Sequence, residues 1–256
     1  MCSKLGAQLY TVRQFTQTLP EISRTFARIA AIGYRAIQIS GFGPVDPGEV
    51  GKMAADSGLT VAATHIAWDR FLNNLDDVIA IHKIWGCTHA AIGGLFGPEY
   101  EGLDGIKRFL EKLQPVAAKL ALEGIDFSYH NHNHELMRCG RSTWLAELYD
   151  RADSDLLQAE LDVYWLQAGG ADPAAWIRRC AGREPLLHLK DMAVGPDRSQ
   201  RMAEIGEGNL NWPAILQAAG ESGVEWYLVE QDECYGRDPF ESLAISYRNL
   251  KAMGFA

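Results

Sequence analysis

Tyr129-His130-Asn131-His132-Asn133-His134-Glu135 holds three of the chain's seven histidines at every second position, followed by a carboxylate. It closes the run Gly124-Ile125-Asp126-Phe127-Ser128, which reads as a strand leaving a helix. Alternate side chains of a strand share a face, so His130 and His132 can point the same way. Imidazoles and a carboxylate converging at a strand end suit a borderline divalent cation. The competing explanation is a polar loop that is merely rich in histidine, and the rest of the chain must decide between them.

The elements that would position such a site are short apolar runs: Lys4–Tyr10, Arg35–Ser40, Leu59–His65, Cys87–Gly93, Ile125–His130, Leu156–Asp162, Pro185–Lys190 and Glu225–Glu230. Their branched and aromatic content fits buried parallel strands. A helix-length segment separates each from the next. Thr18-Leu19-Pro20-Glu21 and Asp238-Pro239-Phe240-Glu241 read as capping boxes, and Asp46-Pro47 and Asp172-Pro173 place proline in a first turn. Gly33, Gly58, Gly86, Gly124, Gly182 and Gly223 sit where helices should end in the left-handed conformation. Pro115 predicts a kink or break in the helix around it. Strand then helix, eight times at intervals of about 25 to 35 residues, predicts one (β/α)₈ barrel domain over residues 1–256. A doubly wound sheet would place a glycine-rich phosphate turn after its first strand, and Ala7-Gln8-Leu9-Tyr10-Thr11-Val12-Arg13 is nothing of the kind.

A barrel gathers the polar residues at its C-terminal strand ends. These are Gln8, Gln38, His65, His130, His132, Glu160, Asp162, His188, Lys190 and Glu230. Strands 5 to 8 each bring a nitrogen or oxygen ligand to one level, and mixed imidazole and carboxylate ligands favour Mn²⁺, Co²⁺, Zn²⁺ or Fe²⁺ over Mg²⁺. Trp68, Phe71, Phe96 and Trp165 follow strand ends and could equally form a wall for a sugar to stack on or pack the loops. Arg198 and Arg201 offer either a phosphate contact or a solvated loop. His82 and His89 lie away from the active face, and His134 reads as a loop residue.

Composition narrows the function. A net charge of −9 disfavours nucleic acid and anionic membranes as partners. No apolar run reaches membrane-spanning length, and no basic-apolar signal opens the chain. Cys2, Cys87, Cys139, Cys180 and Cys234 form no CxxC pair, which fits a reducing cytoplasm rather than a disulfide framework.

Across essentially its whole length the chain resembles the xylose isomerase-like superfamily of sugar isomerases and epimerases, which also holds inosose dehydratases and endonuclease IV. The resemblance rests on Leu161-Asp162-Val163-Tyr164-Trp165, His188-Leu189-Lys190-Asp191, Leu228-Val229-Glu230-Gln231-Asp232 and the loop Gly206-Glu207-Gly208-Asn209-Leu210-Asn211-Trp212. It implies one divalent ion, Mn²⁺ foremost, held by Asp162, His188, Glu230 and a strand-5 ligand. Relatives often carry Glu-Asn at strand 5 and Glu at the place of Gln38, and the departure at strand 5 leaves the choice among His130, His132 and Glu135 open. His132 is assigned as the ligand, with His130 and Glu135 beside it as proton carriers. Lys190 is the expected partner of an enolate oxygen or leaving hydroxyl. Gln8, Gln38, His65, Trp68, Glu160 and Trp165 are the expected sugar contacts.

The implied reaction is isomerisation or epimerisation of a sugar, sugar phosphate or keto-sugar through an enediolate. The alternative is dehydration of a keto-inositol or 3-keto-sugar. An abasic-site endonuclease and a non-catalytic sugar-binding barrel are remote alternatives. The expected partner is a small carbohydrate, with homo-oligomerisation left open.

Overall fold

A computed structural model describes residues 4–255, so Cys2 lies outside the described residues. The eight expected strands are present: β1 Lys4–Gln8, β2 Ala36–Ile39, β3 Thr60–His65, β4 His89–Ile92, β5 Asp126–His130, β6 Gln158–Asp162, β7 Leu186–Leu189 and β8 Trp226–Val229. Each pairs in parallel with the next, and β8 closes the barrel against β1. Eight outer helices complete the repeat: α1 Leu19–Ile32, α2 Pro47–Asp56, α3 Leu75–Trp85, α4 Gly102–Leu122, α5 Trp144–Arg151, α6 Pro173–Arg179, α7 Trp212–Ser222 and α8 Pro239–Ala252. The protein is a single α/β TIM barrel.

Local sequence explains the helix boundaries. Ile22, Thr25, Phe26 and Ile29 give α1 one buried face at helical spacing. Its capping box forms, with Glu21 accepting from the Thr18 amide at 3.0 Å. The second expected box does not close. Asp238 caps Phe240 at 3.0 Å and receives Arg28 at 2.7 Å, with no return bond from Glu241 among the described residues. Gly33, at φ 125°, ends α1 where a Cβ would stand 2.5 Å from the Tyr247 ring. Pro115 does not break α4, which runs from Gly102 to Leu122 as one element.

Strand parity then builds the site. The outward residues Leu187, Leu189, Leu161, Tyr227 and Val229 are buried in the main core. The inward positions of β7 read Leu186, His188, and those of β8 read Trp226, Leu228. Leu186 and Leu228 pack with Ala36, Ala62 and Ala63 in a separate apolar cluster, on which Trp226 packs. Register aligns His130 with Glu160, Asp162 with His188 and His188 with Leu228. Small and apolar residues therefore fill the lower barrel, and ionisable groups occupy the layers above.

Candidate active site

A cavity of about 700 Å³ opens at the C-terminal mouth, and its lining includes His65, Trp68, Phe96, His130, His132, Lys190, Glu230 and Asp232. Beneath it lies a layer of hydrogen-bonded polar groups. Glu160 accepts from Gln38 at 2.5 Å and meets His188 Nε2 at 2.8 Å and His65 Nε2 at 3.0 Å. His188 Nδ1 lies 3.0 Å from Glu230 Oε2. Lys190, fully buried, places its ammonium 3.1 Å from Asp162, 2.8 Å from Glu230 and 2.9 Å from Asp232.

These contacts set the charges. Burial alone would raise the Glu160 carboxyl, but His65 and His188 outweigh it and pull it down to about 2. Burial would lower His188, yet Glu160 and Glu230 push it up to about 10. Burial opposes the Lys190 ammonium too, and Asp162, Glu230 and Asp232 nevertheless hold it well above the ordinary lysine value. Burial and the neighbouring Glu230 lift Asp232 to about 6. Burial first, and Lys190 second, hold His132 down to about 3, and burial with His188 holds His130 well below the usual histidine value.

Ligand atoms of His130, Asp162, His188 and Glu230 lie within 4.8 Å of one another. One buried atom in this set, His130 Nδ1, has no hydrogen-bond partner among the described residues, whereas Asp162 Oδ2 faces the Lys190 ammonium at 3.1 Å. Orphaned donors and acceptors are rare in a folded interior, so the set fits a divalent cation. His65, His130, Glu160 and His188 also converge; there Glu160 is bonded to Gln38, His65 and His188, while His188 is hydrogen-bonded in both sets, to Glu160 and Gln38 through Nε2 and to Glu230 through Nδ1.

The strand-5 histidines fall into different clusters. His130, the last residue of β5, keeps inward parity and joins the set with Asp162. His132 lies past the strand end, where alternation no longer holds, and groups with His134 and Glu135. Glu135 does not line the cavity as a proton carrier. It is buried under the loop, accepting from the Tyr129 hydroxyl at 2.9 Å and the His132 amide at 2.8 Å. Among the expected sugar contacts, only His65 and Trp68 line the cavity. Gln38 and Glu160 are committed to the layer below. Gln8 accepts from the Tyr10 amide and meets His65 Nδ1 at 3.3 Å. Trp165 packs on the His132 ring at 5.2 Å, outside the lining. Of the proposed aromatic wall, Phe96 also faces the cavity, whereas Phe71 is buried against Phe127. Arg201 pairs with Asp197, and neither it nor the exposed Arg198 reaches the lining. His82 bonds Thr64 and Val78 inside the fold, in keeping with a structural role.

Sequence reasoning did not assign Asp232, although it stands two residues past Glu230 in the same motif. It also left Asp191 without a role. That carboxylate accepts from the amides of Met192, Gly206, Gly208 and Leu210 and from the Trp212 indole, at 2.7 to 3.2 Å. A Cβ at Gly208 would stand 2.4 Å from its Oδ1, so only glycine permits this approach. The Gly206–Trp212 loop thus wraps a carboxylate next to Lys190 rather than contacting the cavity.

Fold and site together define a barrel of the kind that carries its chemistry in βα-loops around a strand-end cluster of His, Asp and Glu. The sequence matches the xylose isomerase-like TIM barrel family over residues 26–251, and the chain belongs to that family. A sugar phosphate isomerase/epimerase from Parabacteroides distasonis ATCC 8503 is 27% identical, with a TM-score of 0.83 over 100% of this chain and 96% of that one. An L-ribulose 3-epimerase shares the fold at 21% identity and a TM-score of 0.75, covering 99% and 94% of the two chains. A probable 3-DHS dehydratase from Bacillus anthracis shares it at 12% identity and a TM-score of 0.65, covering 97% and 98%. No curated protein matches the sequence significantly. Among the described residues, no helix is long and apolar enough to cross a membrane.

Proposed function

We propose that the protein is a divalent-metal-dependent isomerase or epimerase of a keto-sugar. The observation that carries this is the convergence of His130, Asp162, His188 and Glu230, with His130 Nδ1 unpartnered, at the floor of the cavity. The designation of the 27% identical neighbour as a sugar phosphate isomerase/epimerase supports it. The four residues would hold the ion, Mn²⁺ in the first instance. When bound, the ion supplies a Lewis acid that polarises a substrate carbonyl and acidifies the adjacent C–H.

The chain's own groups do the rest. Lys190 lies under the cavity wall, held by three carboxylates, and its positive charge can stabilise an oxygen on which negative charge develops without donating to it directly. Glu230 and Asp232 are cavity-wall groups able to accept the carbon-bound proton and return it. Trp68 and Phe96 offer apolar faces to the C–H side of a sugar ring. Lys190 is held by three carboxylates, and Arg13 by the Tyr10 and Asp232 carbonyls and Glu233. This favours a neutral sugar over its phosphate.

Incubation with Mn²⁺ and a panel of ketoses and their phosphates in D₂O tests the reading. Deuterium should enter the carbon beside the carbonyl, and a chelator should abolish the exchange. No exchange with any ketose would overturn the proposal. A new enone absorbance in place of exchange would identify the dehydratase instead.

A further inference from the structure

His132, His134 and Glu135 bring one ligand atom each within 4.8 Å of one another, and they share no residue with the set on the cavity floor. Glu135 is fixed by the Tyr129 hydroxyl on one oxygen and the His132 amide on the other, so its carboxylate cannot swing away. His132 Nδ1 and His134 Nε2 are buried and have no hydrogen-bond partner among the described residues. His134 Nε2 stands 3.3 Å from Glu135 Oε1. That pair lacks the alignment of a hydrogen bond. The separation is, however, that of two ligands on one tetrahedral ion, because bonds of about 2.0–2.1 Å give an edge of roughly 3.3 Å.

A His134–Glu135 ion pair accounts for at most His134 Nε2 and leaves the buried His132 Nδ1 without a partner among the described residues. We propose that His132, His134 and Glu135 form a second divalent-cation site, of zinc type, with three protein ligands and one open position. Two imidazoles and one carboxylate on a tight turn match Zn²⁺ or Co²⁺. They cannot provide the oxygen-rich shell that Ca²⁺ or Mg²⁺ requires. Access is present on both sides. His132 belongs to the cavity wall, and the His134 side chain keeps 28% of its surface exposed beside the Phe96 ring. The carboxylate's two hydrogen bonds are the orienting contacts that ligands of a built site have. The proposal is independent of the reaction assigned above.

Metal-stripped protein, equilibrated by dialysis with micromolar Zn²⁺, should bind about two equivalents. His134→Ala should bind one fewer, and Glu135→Gln should repeat that loss should His134→Ala fail to fold. Asp162→Ala should lose only the equivalent at the cavity floor. Crystals of the whole chain grown with Zn²⁺ should give an anomalous peak among His132, His134 and Glu135. Equal stoichiometry in wild type and both loop variants, or no peak at these residues, would overturn the second site. If the floor site fails alone, the wild type binds one equivalent that His134→Ala removes and Asp162→Ala leaves. That outcome refutes the proposed metal dependence at the floor while sustaining this inference.

Discussion

At the mouth of the barrel Glu160 is fully buried and held down to about 2, whereas Glu184, just before β7 at the other end, is equally enclosed and pushed well above the ordinary carboxyl value. The residue type and the burial are the same, and the direction is opposite. Glu160 has His65, His188 and Gln38 within hydrogen-bond reach. Neither Glu184 oxygen has a partner among the described residues. Burial by itself neutralises a carboxyl, and only matched counter-charges keep one ionised in the interior. The mouth supplies them, with Lys190 facing three carboxylates and His188 facing two. A buried network of this kind is costly to break at one member, because the others are left uncompensated.

The strongest way to break the contrast is to remove the central cation. Lys190→Ala leaves Asp162, Glu230 and Asp232 facing one another, and should lower unfolding stability by about 3–5 kcal/mol. Deuterium exchange with the active ketose should fall by about 100-fold or more, since the group opposite developing oxygen charge is gone. Saturating Mn²⁺ should recover more stability in the variant than in wild type, because an ion then supplies the missing charge. Urea titrations with and without Mn²⁺ measure this. A loss below about 1 kcal/mol would show that the carboxylates do not depend on the ammonium.

The next effect separates the two strand-5 histidines. His130→Ala should weaken Mn²⁺ binding at the cavity floor by about 100-fold, while His132→Ala should leave it almost unchanged, as read by isothermal titration. The reverse result would return His132 to the ligand set. Asp191→Asn should cost about 2–3 kcal/mol by urea unfolding, since a neutral amide serves five donors worse than a carboxylate and adds unwanted donors of its own. Its signature is local: amides 206 to 210 should exchange hydrogen faster while those of β2 and β3 do not.

The legible and illegible parts of the molecule divide along a physical line. Strands were visible because buried parallel strands are continuous apolar runs, and helix ends because Gly33, Gly86 and Gly223 carry positive φ that other residues resist. The convergence of Asp162, His188 and Glu230 was readable because a barrel brings polar strand ends together whatever their separation in sequence. Parity within one strand did not show that His130 and His132 join different clusters, because the strand ends between them. That Gln38 and Glu160 lie below the cavity lining was not legible, because depth along a barrel axis depends on register between strands, which no single run encodes. Asp191 was silent for a related reason, since its five donors come from a loop that closes only in three dimensions.

Glu184 tests the other half of the contrast, and its effect should be the smallest and of opposite sign. Folding raises its carboxyl above the ordinary 4.5 through burial alone. The native state therefore binds a proton that the unfolded chain releases. The stability this provides is complete below the unfolded value and is lost as pH climbs toward the folded one. Tyr149, Cys180, Arg183 and Tyr227 are the titratable groups that share its surroundings. None of them bonds either oxygen, so replacing the side chain removes a cost without breaking a contact. Glu184→Met keeps the volume and should stabilise the protein by about 1–2 kcal/mol at neutral pH, the order of one unsatisfied buried polar group. The difference between variant and wild type should narrow as pH falls toward 5 and widen toward 8, in urea titrations at each pH. A destabilised variant, or a difference that does not change with pH, would mean that Glu184 has a counter-charge in solution and that the two ends of the barrel obey the same rule.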